Sequence, residues 1–455
     1  MAYVSLVRQT LHVCGVACQP GDMPRGNMKS SVAMRSQPHL LLVEELLIRT
    51  AVRVELPPSL HNLAVDRYEA IRKHIERDGS PLKDRVRLFY PQGSMAIGAT
   101  IRSRKRADGY DIDIVAELLL PSGTPPALVL DLLFEAINGQ RGSRYHGKVK
   151  RQTRCITVEY EDGMHLDVTP SILIIANDPR VSQIFHAKPE EPVHQHRRLV
   201  INSFAFVEHV KACTPNDLDF RHRYAREVKR FADGFPLQIK ADADVVDVPA
   251  HSTEDGGKSV TIVALQLKKR NRNEKYTRRR GVRMPPSVML SKFAADVARP
   301  GAMLIEALVA LTEHILAQLE HAHSAGTLID VRNPKCSQDR FTDRWPENAA
   351  AQNLYISDLR VFRNQLELLV GGTLSLAQMR DLLVEMFGEG PAQGAIDDFA
   401  IGQGAAVRDN RPRFSVGAGA TRTVAAIAAP TAVSSATRAT AHTFYGTPWP
   451  KQKKR

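Results

Sequence analysis

The chain has 455 residues, 43% of them apolar, which is long for one ordinary compact domain and enough to bury sizeable cores. No apolar run approaches the roughly 18 residues that a membrane span needs, so we expect no membrane association. Five scattered cysteines argue against a disulfide framework and favour a reducing compartment. These features predict a soluble cytoplasmic protein and exclude a secreted disulfide scaffold.

The net charge of +13 is concentrated in two stretches. Residues 401–455 hold nine basic and one acidic residue, and residues 268–283 (KKRNRNEKYTRRRGVR) hold nine basic residues against Glu274. The second stretch has three interpretations: phosphate binding by its first residues, contact with nucleic acid, or a solvated helix or loop. Three consecutive arginines cannot all point into one cleft, so we expect Arg278 to Arg280 to be largely solvated.

The N-terminal part of the chain predicts two helices followed by a strand. Residues 1–37 have no clear periodicity and are expected to be a disordered arm or an over-extended start. Apolar residues recur at helical spacing over 39–54 and again over 60–75. The short apolar strand 86–90 then runs into Pro91-Gln92-Gly93-Ser94.

A second strand carries two acidic residues. Residues 110–118 alternate, with Ile112 and Ile114 on one face and Asp111 and Asp113 on the other. The strand therefore presents two carboxylates side by side on its polar face.

A hairpin follows and carries a third aspartate. Residues 156–160 and 164–168 both alternate, and Asp162-Gly163 between them is typical of a hairpin turn. Asp167 falls on the polar face of the returning strand, so pairing with a neighbouring strand can bring it beside the first two.

Beyond residue 200 the pattern becomes helical. Helices are predicted over 201–212, 287–299, 301–323, 348–370 and 375–387. Strands followed by helices imply an α+β protein with its active site in the cleft between two lobes. We expect a catalytic lobe over 38–200, a helical lobe over 201–400, and a disordered basic Ala/Thr-rich tail over 401–455.

Three carboxylates on adjacent strands are suited to binding divalent metal. Joining nucleotides displaces pyrophosphate at an α-phosphate, and two metal ions about 3.5–4 Å apart can activate the attacking hydroxyl and stabilise the leaving oxygens. Asp111, Asp113 and Asp167 would repel one another unless cations lie between them. The sequence therefore predicts two Mg²⁺ ions, with Mn²⁺ as a substitute, and these three residues as metal ligands and catalytic residues.

The Gly93-Ser94 turn has the form of a phosphate-binding element. Glycine allows close approach of the backbone, serine offers a hydroxyl, and a helix that begins there offers free N–H groups. A Gly-Ser dipeptide alone has little weight, but here Asp111 and Asp113 follow it on a strand.

Several stretches together resemble the polymerase-β-like nucleotidyltransferases, and within them the bacterial cGAS/DncV-like enzymes (CD-NTases). The resemblance spans roughly residues 38–390. It rests on LFYPQGSMAIGATIR, DGYDIDIV and GMHLDVTPSI, and later on VVDVPAHS, QLKKRNRNEKY, PPSVML and VRNPKCSQDRFTDRWPEN.

The resemblance implies a nucleotidyltransferase lobe with a mixed sheet, backed by a long N-terminal helix and closed by a helical lobe. It implies an enzyme that makes a cyclic oligonucleotide second messenger from ATP, GTP or other NTPs in antiphage (CBASS-type) defence, where an effector senses the product. We expect a guanine-containing cyclic dinucleotide such as cyclic GMP-AMP. By the same resemblance, Gly93 and Ser94 match the phosphate-binding turn, and Lys269 and Ser287 match contacts to the donor triphosphate.

Two other functions use the same fold. A transferase that forms linear oligonucleotides or nucleotidylates a protein shares the aspartate site and differs in the acceptor. A protein of this fold that binds nucleic acid without catalysis would be favoured by loss of an aspartate, but all three are present. The sequence has no Cys/His cluster like the one with which the animal DNA sensor grips DNA, so no nucleic-acid activator is expected.

Overall fold

The computed structural model describes residues 38–102, 111–174, 180–233 and 257–408, with two short strands beyond them. Side chains are described within these ranges up to Gln403, except those of Asp111 and Asp233. The helices are α1 (Pro38–Val54), α2 (Pro58–Ile75), α3 (Gly93–Ala96), α4 (Pro126–Asn138), α5 (Ser203–Cys213), α6 (Leu218–Asp233), α7 (Val260–Tyr276), α8 (Ser287–Asp296), α9 (Leu304–Ser324), α10 (Ala349–Val370), α11 (Leu376–Phe387) and α12 (Glu389–Arg408). The strands are β1 (Val86–Pro91), β2 (Asp111–Leu118), β3 (Val149–Arg151), β4 (Ile156–Glu159), β5 (His165–Leu173), β6 (Ser182–His186), β7 (Arg197–Ile201), β8 (Arg332–Asn333), β9 (Cys336–Arg340), β10 (Arg413–Phe414) and β11 (Thr421–Arg422).

A seven-stranded mixed sheet organises the first half of the chain. Its main path is β1-β2-β5-β4-β3, and β6 pairs with both β5 and β7. β2 and β5 are parallel, whereas β4 and β5 form the predicted antiparallel hairpin. Ile112 and Ile114 are buried in a core that also contains residues of α2 and α4. The alternation of β2 therefore leaves its aspartates on the opposite face.

The N-terminal helix α1 packs with the helices of the second half of the chain. Its apolar residues share one core with residues of α6, α7, α9 and α11. Glu44 is buried and accepts hydrogen bonds from the backbone N–H groups of Leu304 (2.9 Å) and Ile305 (3.3 Å). A carboxylate at a helix N-terminus satisfies unpaired donors, so Glu44 ties α1 to the start of α9. The division at residue 200 stays a prediction, but α1 is physically part of the helical core.

Four helices lay outside the sequence-based prediction. They are α4, α6, α7 and α12. In α7 almost every residue is buried, including Lys268, Lys269, Arg270 and Arg272. A helix that is buried on all sides has no polar stripe, and hydrophobic periodicity does not detect it. The last helix, α12, runs to Arg408 and so crosses the predicted boundary at residue 400.

No helix in the described part of the chain is both long enough and apolar enough to cross a membrane.

Lys268 is a buried amine, and we expect it to make the stability of this fold depend on pH. The side chain is 1% exposed, and its ammonium lies 4.2 Å from the ring centre of Phe362. Burial lowers the pKa of Lys268 to about 7, so between that pH and roughly 10.4 the unfolded state binds more protons than the folded state. The free energy of unfolding should therefore gain up to about 1.4 kcal/mol per pH unit from this group as the pH rises through that window.

Lys268→Met removes the titrating group and keeps most of the apolar volume. Urea unfolding at pH 7, 8 and 9 should show a smaller rise in stability for Lys268→Met than for the wild type, and the variant should be at least as stable at pH 7. Parallel stability curves for the two proteins would contradict this expectation.

Candidate active site

Asp113 and Asp167 lie directly opposite each other on the parallel strands β2 and β5. Neighbouring strands are about 4.8 Å apart, so the two carboxylates project from adjacent positions on one face. Thr157 on β4 pairs with Asp167 and donates its hydroxyl to Asp167 Oδ1 at 2.5 Å. Asp111 lies two residues before Asp113 on β2, opposite His165, and its side chain is outside the described residues.

The carboxylates on this face of the sheet shift the pKa of a neighbouring thiol, that of Cys155. Burial raises the pKa of Cys155, and the carboxylates of Asp167 and Asp113 raise it further, to about 12. Asp113 and Asp167 present hard oxygen ligands from paired positions on neighbouring strands, and this is the donor type that Mg²⁺ prefers. Among the side chains that the structure describes, no three His, Cys, Asp or Glu residues lie close enough together to hold a metal ion, and a three-aspartate site therefore depends on Asp111.

The Gly93 turn lies directly against Asp113. The backbone N–H of Gln92 donates to the carbonyl oxygen of Asp113 at 2.9 Å, so the end of β1 fixes the turn beside β2. Gly93 has φ +59°, and a Cβ built on it would lie 2.8 Å from Asp113 Oδ2. Glycine is needed here for both the backbone conformation and the close approach. The helix that begins at Gly93 is a single turn, so its dipole contributes little.

Lys269 and Ser287 reach the same cleft from the helical side. Lys269 Nζ donates to Ser94 Oγ at 2.6 Å and to the carbonyl oxygen of Ala99 at 2.7 Å. Ser287 begins α8, and its hydroxyl accepts from Arg272 Nη1 at 3.1 Å. Five of the predicted residues line one cleft of about 840 Å³: Gly93, Ser94, Asp113, Lys269 and Ser287. Asp167 lies next to this cleft, on the strand that pairs with the one carrying Asp113.

Four arginines that sequence analysis did not name line the cleft: Arg102, Arg154, Arg272 and Arg340. Arg272 lies one helical turn after Lys269 in the basic run, and that i+3 spacing was an available signal. Arg154 lies in the turn between β3 and β4 and forms an ion pair with Asp343 at 2.5 Å. Nothing local in the sequence distinguishes Arg154 from a surface arginine, because its partner is far away in the chain.

The remaining arginines of the basic run behave largely as expected. Arg278 and Arg280 are exposed, which confirms their solvated character. Arg279 instead donates from both Nη groups to Asp358, at 2.6 and 2.7 Å, and so joins the turn after α7 to α10. The stretch VVDVPAHS lies outside the described residues.

The chain is similar to proteins of one known family. Residues 50–181 match the Second Messenger Oligonucleotide or Dinucleotide Synthetase domain family. The cyclic dinucleotide synthase CdnG of Bradyrhizobium diazoefficiens is 44% identical over 347 residues, which cover 76% of this chain and 80% of that protein. A c-di-GMP synthase of Roseivirga ehrenbergii is 21% identical over 324 residues, 71% of this chain and 78% of that protein.

A solved structure supports the same relationship. The CD-NTase CdnG of Bradyrhizobium diazoefficiens, in complex with GTP, aligns with a TM-score of 0.66 and 43% identity over 77% of this chain and 97% of that one. The predicted α+β nucleotidyltransferase fold, with its mixed sheet and helical C-terminal region, is confirmed. The chain belongs to the CD-NTase family of nucleotidyltransferases, among the cyclic dinucleotide synthases.

Proposed function

We propose that this enzyme joins two NTPs, at least one of them GTP, into a guanine-containing cyclic dinucleotide. The convergence of Asp113, the Gly93-Ser94 turn, Lys269 and Ser287 on one cleft carries the proposal. GTP is favoured because the relative of known structure was solved with GTP and a more distant relative is named a c-di-GMP synthase.

Asp111, Asp113 and Asp167 are the proposed ligands of two Mg²⁺ ions, with Mn²⁺ able to substitute. When bound, such ions activate the attacking hydroxyl and stabilise the charge on the leaving oxygens. Two contacts within the sheet hold these carboxylates in position. Thr157 orients the carboxylate of Asp167, and the pairing of β2 with β5 holds Asp113 beside it. Rigid strands are suited to holding ligands at a fixed separation.

Ser94, Lys269 and Ser287 are the proposed triphosphate contacts. Lys269 already donates to Ser94, so its charge and the hydroxyl lie together beside Asp113. An ammonium-to-phosphate hydrogen bond contributes about 1.5–3 kcal/mol. This arrangement supports a donor NTP whose triphosphate tail lies against the turn and whose α-phosphate lies near the aspartates.

The biological role is proposed on the family resemblance alone. A cyclic dinucleotide made in antiphage defence would act through an effector that senses it. A linear product or a nucleotidylated protein would use the same aspartates and remains the second candidate.

The test is product analysis with purified protein, Mg²⁺ and each combination of labelled ATP, GTP, CTP and UTP. We expect GTP to be consumed and a phosphatase-resistant product with the mass of a guanine-containing cyclic dinucleotide. Cyclic products resist phosphatase because they have no terminal phosphate. Products that phosphatase degrades would favour the linear synthase, and a cyclic product without guanine would refute the proposed base selection.

Adding duplex DNA or RNA at low and high salt extends the same assay to the nucleic-acid interpretation. We expect no stimulation. Stimulation that fades steeply with salt would indicate a phosphate-binding activator site on the basic run.

A further inference from the structure

Arg272 is a buried guanidinium in the cleft wall. Its side chain belongs to α7, is 5% exposed and lines the same cleft as Ser94 and Ser287. Nη1 donates to the carbonyl oxygen of Pro285 at 2.6 Å and to Ser287 Oγ at 3.1 Å. Nε and Nη2 donate to Asn273 Oδ1 at 3.1 and 2.9 Å.

All of these acceptors are neutral. Among the described residues no carboxylate lies within ion-pair distance of Arg272, whereas Arg270 on the same helix pairs with Glu274 at 2.9 Å. Desolvation lowers the pKa of Arg272 to about 10, and no neighbouring carboxylate counters the shift. A buried charge without a counter-charge is costly, and a bound anion would offset that cost.

The position of Arg272 in the cleft indicates which kind of anion would bind beside it. Lys269 and Arg272 are one helical turn apart on α7, and each donates to a serine of the cleft wall, Lys269 to Ser94 and Arg272 to Ser287. Two cations on one helix face therefore hold two hydroxyls toward the same space.

We propose that Arg272 is the second cation of an anion site for the triphosphate tail of the NTP, where it orients the hydroxyl of Ser287 and supplies the counter-charge from α7. This inference rests on the proposed function for the identity of the natural ligand. Arg272 is a positioning residue, because it acts on the substrate through the hydroxyl of Ser287 and through the electrostatic field of its guanidinium.

Inorganic tripolyphosphate in the presence of EDTA is the probe, since it tests the anion site without metal, base or turnover. We would measure its affinity and the thermal midpoint of the full chain for the wild type, Arg272→Gln and Arg270→Gln. Arg270→Gln is the matched control, because it removes an arginine of the same helix that already has a carboxylate partner.

We expect Arg272→Gln to weaken tripolyphosphate binding by roughly ten- to a hundredfold, because the variant loses both the counter-charge and the charge-assisted hydrogen bond that orients Ser287 Oγ. Its thermal midpoint without ligand should stay close to that of the wild type, and in turnover the KM for NTP should rise far more than kcat falls. Arg270→Gln should lower the thermal midpoint and leave tripolyphosphate affinity unchanged.

A lower thermal midpoint for Arg272→Gln with wild-type affinity would overturn the inference and make Arg272 a structural residue only. Failure of the wild type to bind tripolyphosphate would overturn it as well. If Arg272→Gln does not fold, Arg272→Lys tests the inference instead. Lysine keeps the positive charge but cannot bridge Pro285 and Ser287. A tripolyphosphate affinity and a KM for NTP equal to those of the wild type would then overturn the positioning role of Arg272. Loss of binding in Arg272→Gln supports the inference even if the product of the enzyme proves to be linear, so the two proposals fail separately.

Discussion

Asp113→Asn is expected to reduce product formation by at least roughly a thousandfold, which corresponds to about 4 kcal/mol of transition-state stabilisation. The change replaces one oxygen of a proposed metal ligand with an amide and removes its charge. The backbone contact that holds the turn, from Gln92 N–H to the carbonyl oxygen of Asp113, does not depend on the side chain. The fold and the turn should therefore persist.

Product formation in Mg²⁺ and in Mn²⁺, together with the thermal midpoint, checks this expectation. Asp78→Asn is the matched control, because the Asp78 side chain is 92% exposed, pairs with Lys83 at the surface and does not line the cleft. It should have wild-type activity. Asp113→Asn with substantial activity and an unchanged fold would remove Asp113 from the catalytic site.

Gly93→Ala is expected to lower activity by at least roughly a hundredfold, about 2.7 kcal/mol, while its cost in folding stability stays near 1–2 kcal/mol. The stability cost comes from φ +59°, which is unfavourable for alanine. The larger loss of activity comes from the new methyl group, which would lie 2.8 Å from Asp113 Oδ2 and must displace that carboxylate. A displacement of about 1 Å is enough to disturb a catalytic geometry severely.

Gly98→Ala separates these two effects. Gly98 also has a positive φ, +69°, but a methyl group added there would have Lys258 Cε as its nearest neighbour, at 4.0 Å. It should lose about as much stability as Gly93→Ala and keep most of its activity. Equal activities for the two variants, measured at saturating NTP, would show that the close contact between Gly93 and Asp113 is unimportant for catalysis.

Local sequence patterns were sufficient to predict the acidic strand face and the hairpin. The alternation around Ile112 and Ile114 fixes which side of β2 is buried, so the side on which Asp111 and Asp113 project follows from the period of two. The turn at Asp162-Gly163 fixes the antiparallel register of β4 and β5, and that register determines which face of the sheet carries Asp167. The expectation that Asp167 would be brought beside Asp113 is confirmed by the register of β2 and β5. The metal and its ligand roles stay predictions.

Tertiary structure decided what the basic run does. In the sequence, Lys268, Lys269, Arg270 and Arg272 form one basic cluster, and phosphate binding is predicted only for Lys269. In the structure all four are buried and have different partners: Lys269 contacts Ser94 and Arg272 contacts Ser287 on the cleft side of α7, whereas Lys268 contacts an aromatic ring and Arg270 pairs with Glu274. The sequence by itself determined the periodic faces, because neighbours within one element set them. Only the tertiary structure decided which charges are compensated and which face the cleft, because their partners are up to 175 residues away in the chain, as Ser94 is from Lys269.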